Sequence, residues 1–214
     1  MIYCFSILSI MKIYKLMEFI LYDLEYTSWE GSLERLWSGE GEEREIVQIS
    51  AILVKDLLTL NGTEFFSLYT KPIINPKLSD YFTNLTGIEQ YNVDNSGLSI
   101  SEGLEKFSIF SENKLCLCWG DDMLVVNENI KLHNLKTKFN ILKNIDIRDL
   151  FNKFGVDTQE YNSGTIENFC KEETIIKSGS EHNALSDCIS MLAALLKLRN
   201  KFGTDEFDRN FNMY

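Results

Sequence analysis

Two carboxylates set two residues apart, Asp23 and Glu25, close the apolar run Glu18–Glu25 (EFILYDLE). In a strand such residues point to one face, so these anions would stand side by side. Adjacent anions repel, and a bound divalent cation or a raised pKa resolves the conflict. Alone the D-x-E triplet reads as a solvated strand end, since an acidic chain produces such triplets by chance. A second pair, Asp121-Asp122, follows Trp119-Gly120 at the end of another apolar run. Asp at such a place also caps helices. The third group is His182 with Asp187, in the stretch EHNALSD. Asp187 shares a helix side with Ala184 and Met191, where a carboxylate needs a partner or a metal. Within one regular helix His182 would lie about 140° away. A joint role therefore requires His182 to sit on the loop before the helix, opened by Gly179 and Ser180.

With one aspartate taken from the Asp121-Asp122 pair, these groups supply four carboxylates and one imidazole, enough to hold two Mg²⁺ or Mn²⁺ ions. Ions about 3.5–4 Å apart can activate a water and stabilise the leaving oxygen of a phosphodiester. Hard oxygen ligands favour Mg²⁺ or Mn²⁺ over zinc. The imidazole suits the role of base for that water.

The elements that must position these groups are legible from patterning. Strands are expected at 18–25, 45–54 and 64–70, with Thr59–Thr63 and its Asn61-Gly62 as the hairpin turn between the last two. A short helix over 79–85 ends at Gly87, and another begins at Ser99 with Glu102 completing a capping box. A fourth strand over 114–119 precedes a helix over 122–133, and a short fifth strand over 145–147 leads into a helix over 148–154. The last helix, 183–202, is apolar nearly all round, the mark of a buried position. Meandering strands followed by strand–helix alternation imply an α/β fold with a mixed sheet flanked by helices.

A chain of 214 residues fits one medium domain with a short extension at each end. The net charge of −11 argues against a long basic footprint on nucleic acid. A protein gripping only the last few nucleotides can instead use bound cations, backbone amides and stacking. The five cysteines are odd in number and contain no C-x-x-C pair; Cys116 and Cys118 read as small apolar residues on one sheet face. A reducing, cytoplasmic setting is expected. Residues 1–10 are apolar, but Lys12 and Lys15 follow rather than precede them, a poor signal peptide and too short for a membrane span. His133, without acidic company in sequence, reads as structural.

At this point the chain resembles the DEDDh 3′→5′ exonucleases of the ribonuclease H-like fold. The residues that carry the resemblance are Asp23-Leu24-Glu25, Asp122, and His182 with Asp187 in the pattern H-x-A-x-x-D. Glu45 to Ile52, Lys71-Pro72 and Leu85-Thr86-Gly87-Ile88 support it, and the likeness runs from about Phe19 to Leu198. Trp119-Gly120-Asp121-Asp122 brings it nearest to the RNA-trimming branch. The sequence departs from that branch in one respect, since relatives there often carry an extra residue between the Gly and the catalytic Asp; Asp122 is preferred because Asp-Met followed by a helix matches better, and Asp121 is held in reserve. The resemblance implies a mixed five-stranded sheet with helices on both sides, over an exonuclease domain at 17–203. Residues 1–16 would be an N-terminal extension and 204–214 a C-terminal tail. It implies metal ligation by Asp23, Glu25, Asp122 and Asp187, with Asp23 bridging two Mg²⁺ or Mn²⁺ ions and His182 taking a proton from the attacking water. The expected partner is a single-stranded RNA or DNA 3′ end, RNA slightly favoured, with no membrane; a dimer is as compatible with this reading as a monomer. Leu24, Tyr26 and Trp29 are candidates for contact with the substrate, and Tyr81 and Phe82 for stacking. The segment from Trp29 to Glu45 has no functional reading. Two alternatives stand beside the enzyme: a non-catalytic binding subunit on the same fold, and a phosphodiesterase acting on short oligonucleotides.

Overall fold

The structure, a computed structural model, describes residues 18–136, 143–171, 176, 179 and 182–214. The expected extension over 1–16 lies outside them, as do parts of the stretch just before His182. In chain order the elements are β1 (Phe19–Tyr26), β2 (Ile46–Val54), β3 (Glu64–Tyr69), α1 (Asp80–Thr86), α2 (Gln90–Ser96), α3 (Ile100–Phe110), β4 (Leu115–Cys118), α4 (Asp122–Leu132), β5 (Lys143–Asp146), α5 (Ile147–Lys153), α6 (Ala184–Phe202) and α7 (Thr204–Phe211).

The five strands form one sheet in the order β3-β2-β1-β4-β5. β2 runs antiparallel to β1 and to β3, whereas β4 lies parallel to β1 and to β5. The expected mixed five-stranded sheet is therefore present. Its hairpin from β2 to β3 turns through left-handed Leu60 and Gly62, at φ 57° and 72°. Asp56 holds the turn by accepting from the Leu58 amide at 2.8 Å.

Strand alternation sorts the core into two layers. From β1, Phe19 and Leu21 pack with Leu117 against α5, α6 and α7, while Ile20, Tyr22 and Leu24 pack against α3 and α4. Cys116 and Cys118 share the second layer, as the sequence pattern implies. Asp23 and Glu25 continue the row of Phe19 and Leu21, so they face α6. α6 is buried along its length, down to Lys197, whose Nζ donates to the carbonyls of Glu167 and Cys170 at 2.6 and 3.1 Å.

Helix caps follow the sequence closely. Ser99 and Glu102 make the reciprocal capping box of α3. Ser79 caps α1, and Gly87 ends it at φ 71°, a conformation that a residue with a Cβ adopts at a cost. Three features depart from expectation. The polar stretch QYNVDNS folds as α2. Ile147 begins α5 rather than ending β5, because the Asp146 side chain caps the helix by accepting from the Arg148 amide. Residues 204–211 form α7, whose Phe207 and Phe211 are buried, with Phe211 5.1 Å from the Phe19 ring.

One residue reading needs correction, and so does the premise of another. Phe82 is 1% exposed inside a cluster with Val47 and Ile88, so it packs under α1 and presents no face to a ligand. His133 does have acidic company: its Nε2 lies 3.4 Å from Oε1 of Glu45. The same Glu45 carboxylate accepts the amides of Ile73, Ile74 and Asn75 at 2.6–2.9 Å, pinning the chain after β3 to the start of β2. Among the described residues, no helix is long and apolar enough to cross a membrane.

Candidate active site

The site forms where β1 outruns its parallel neighbour. Pairing of β1 with β4 stops at Leu21 opposite Leu117, and the chain turns away through Gly120 at φ 71°. The edge of β1 beyond Leu21 is thereby opened at the carboxyl ends of two parallel strands, the usual place for a ligand in an open α/β sheet. Asp122, in the first turn of α4, reaches back to that edge and accepts a hydrogen bond from the freed Leu24 amide. From the other side α6 lies across β1 and brings Asp187 towards the strand.

One carboxylate oxygen each from Asp23, Glu25 and Asp187 lies within 4.8 Å of the others. Asp23, Asp122 and Asp187 are 6, 7 and 4% exposed, so this much negative charge is held away from bulk water. Burial lifts the carboxyls of Asp23, Glu25 and Asp122 well above their ordinary values. The charges of the neighbouring carboxylates push in the same direction. Oδ2 of Asp122 is buried with no hydrogen-bond partner among the described residues. Close, desolvated carboxylates with an oxygen left to coordinate form a donor set that fits a hard divalent cation.

Asp121 and Asp122 separate cleanly. Asp121 is exposed at the N-cap position of α4, and its side chain makes no cap hydrogen bond. Asp122 is buried and lines the cavity over the carboxylates. His182 also lines that cavity, just ahead of the α6 cap Asn183, in the left-handed region at φ 57°. It stands off the regular helix, as a joint role with Asp187 requires. The cavity has a volume of about 400 Å³.

Of the expected contact residues, Tyr26 and Trp29 stand in the cavity wall, together with Tyr81. Leu24 reaches the wall too, but at 4% exposure it belongs mainly to the core against α3 and α4. Sequence reasoning missed several neighbours. Ser163 donates to Oδ2 of Asp187 at 2.8 Å, and the next residue, Gly164, lies directly against that carboxylate. Trp37 and Leu33, from the segment left without a reading, also line the cavity. The Asn162-Ser163-Gly164-Thr165 turn carries no spacing signal that ties it to α6.

The family model for exonucleases, RNase_T, matches residues 20–195. The chain belongs to that exonuclease family. All four site carboxylates and His182 fall within the matched stretch. Among curated proteins, the chain is 36% identical over 91 residues to the 3′-5′ exonuclease eri1 of Schizosaccharomyces pombe, covering 42% of this chain and 28% of that one. It is 35% identical over 96 residues to the 3′-5′ exonuclease Snipper of Drosophila melanogaster, covering 45% and 32%. The matches thus span about a third of these relatives or less. Among solved structures, the fold resembles the nuclease domain of 3′hExo, a DEDDh family member bound to rAMP, with TM-score 0.72 and 23% identity over 88% of this chain and 94% of that one. It also resembles E. coli exonuclease I in a complex with ssDNA, at TM-score 0.65 and 16% identity over 92% and 43%. The ribonuclease H-like fold and the DEDDh resemblance read from the sequence are both borne out.

Proposed function

We propose that this exonuclease removes nucleotides from the 3′ end of a single strand, giving nucleoside 5′-monophosphates. The observation that carries this reading is the convergence of Asp23, Glu25 and Asp187 within 4.8 Å on the floor of an open cavity. Asp23, Glu25, Asp122 and Asp187 would hold two Mg²⁺ or Mn²⁺ ions. Such ions, when bound, supply charge stabilisation for the attacking and leaving oxygens of an in-line displacement. His182 takes the proton of the water that attacks the terminal phosphorus. The bond from phosphorus to the 3′ oxygen of the preceding nucleotide breaks, and that oxygen leaves as a 3′ hydroxyl after taking a proton from solvent. Ser163, through its hydrogen bond, keeps Asp187 aimed at the cavity.

RNA is the favoured substrate, supported by the rAMP in the nuclease domain of 3′hExo and by a related 3′-exonuclease described with a histone mRNA stem-loop. The ssDNA complex of the E. coli relative makes DNA the substrate to compare. The experiment is a panel of 3′-labelled single-stranded RNA, single-stranded DNA, duplexes and dinucleotides with Mg²⁺ and with Mn²⁺. Divalent-dependent release of mononucleotides, faster from single-stranded RNA, is expected. No release from any of them would overturn the proposal.

A further inference from the structure

Asp23 and Glu25 are fixed by β1 and Asp187 by the buried helix α6, whereas Asp122 is delivered by the short link from β4 to α4. That link has left the sheet on both sides. Pairing with β1 stops at Leu117, and pairing with β5 stops where Cys118 faces Asp146. The start of α4 is not tied down by its own cap either, because the Asp121 side chain makes no cap hydrogen bond. A link so placed needs another fastening if the carboxylate it carries is to keep one aim.

The fastening is a side chain that carries the β4–β5 ladder one step beyond the backbone. Oδ1 of Asp146 accepts the Gly120 amide at 3.2 Å. The same oxygen accepts the Arg148 amide at 3.0 Å, as the cap of α5. Arg148 closes back on this carboxylate: its Nε donates to Oδ2 at 2.7 Å, and its Nη2 lies 2.6 Å from the same oxygen. The guanidinium also covers Gly120, 3.3–3.7 Å from the place a Cβ would take. At the other end of the link Asp122 accepts the Leu24 amide. Gly120 to Asp122 thus hang between two hydrogen bonds, one reaching β5 and one reaching β1. Arg148 has a second effect. A bare carboxylate at 146 would add to the repulsion felt by Asp122, and the guanidinium beside it supplies the opposite charge. The link gains a charged acceptor, stronger than a neutral one, with little added negative field.

We propose that Asp146 is a positioning residue of the metal site: by holding the Gly120 amide it sets the turn that aims the Asp122 carboxylate, and Arg148 keeps the holder in place. This rests on the reading of Asp122 as a metal ligand. Outer partners of this kind orient a ligand before the metal arrives, and a site lacking them is loose rather than absent.

Substitutions at 146 separate the two duties of this side chain. Asp146→Asn keeps an oxygen that can accept both amides. Asp146→Ser keeps a good cap for α5 but is too short to span to Gly120 as well. Asp146→Ala keeps neither. The first readout needs no metal: amide hydrogen exchange at Leu24, whose N–H is protected by Asp122. Exchange there should be about tenfold faster in Asp146→Ser than in wild type, as loss of one hydrogen bond brings, with the amides of β2 and β3 unaltered. The second is calorimetric titration with Mn²⁺. Asp146→Ser and Asp146→Ala should bind about 10- to 100-fold more weakly. Asp146→Asn should stay close to wild type in both readouts. Ser99→Ala, which removes the cap of α3, costs stability of the same kind and should move neither readout. Wild-type exchange at Leu24 together with wild-type Mn²⁺ affinity in Asp146→Ser overturns the inference, and so does a loss that Asp146→Asn fails to restore. Asp122→Asn tells this failure from that of the ligand reading. If Asp122→Asn binds Mn²⁺ as wild type does, the ligand reading falls, and the inference with it. If Asp122→Asn loses affinity while Asp146→Ser keeps it, the positioning role alone is lost.

Discussion

The backbone of Gly164 rests against the Asp187 carboxylate so closely that a Cβ added there would come within 2.7 Å of Oδ1 and 3.2 Å of the carboxyl carbon. Ser163, one residue earlier, donates to the other oxygen. A turn distant in sequence from α6 therefore fixes the aim of a site carboxylate. Asp187 is short and rooted in a buried helix, so Gly164→Ala must displace its carboxyl group. Removing such orienting contacts typically costs about 10- to 100-fold in metal affinity. Calorimetric titration with Mn²⁺ should record a loss of that size, with a matching fall in hydrolysis and an unaltered circular dichroism spectrum.

The choice between the two adjacent aspartates is also testable. Asp122 is buried against the Leu24 amide, whereas Asp121 is exposed and caps nothing. Asp122→Asn should lower kcat at least about a hundredfold, beyond what loss of an orienting partner brings. Asp121→Asn should stay near wild type. The reverse order in steady-state assays would transfer the ligand role to Asp121.

His182 stands in the left-handed region, so its replacement has to respect the backbone. Asn tolerates that conformation better than Ala does. His182→Asn should reduce kcat by about 10²- to 10⁴-fold, the usual contribution of a general base. Mn²⁺ binding should persist, since the carboxylates remain. Near-wild-type turnover in this variant would remove the imidazole from the mechanism.

The raised carboxyls of Asp23, Glu25 and Asp122 make stability depend on pH and on metal together. In the metal-free protein these groups hold their protons above the pH at which the unfolded chain releases them. As pH rises through the ordinary carboxylate range, the unfolded state gives up protons that the native state keeps, and native stability falls. The loss accumulates until pH passes the raised native values. A divalent cation favours the ionised carboxylates and offsets it. The rise in Tm on adding Mn²⁺ to chelator-treated protein should therefore grow between about pH 5 and about pH 8. A gain that shrinks over the same range would contradict the electrostatic account of the site.

Much of the fold was legible because its signals are local. Ser99 with Glu102, Gly87 after its helix and the apolar 183–202 run each state their role within a few residues. The face of Asp23 and Glu25 follows from strand alternation alone. What stayed hidden depends on partners far along the chain. α7 is polar in composition, and only the row of Phe207 and Phe211 against Phe19 gives it a place. Ser163 and Gly164 lie in an ordinary turn whose meaning appears only when α6 arrives beside it. The 27–45 segment owes its shape to Arg44 and Glu128, and to contacts with Tyr26 and Ser79, which no periodicity announces.

The most direct test of the central claim is chromatography of the products from a 3′-labelled single-stranded RNA, with Mn²⁺ and then with chelator, using wild type and Asp23→Asn. The account predicts nucleoside 5′-monophosphate from wild type with the metal, and none after chelation or from the variant. Release that persists in chelator, or in Asp23→Asn at the wild-type rate, would contradict it.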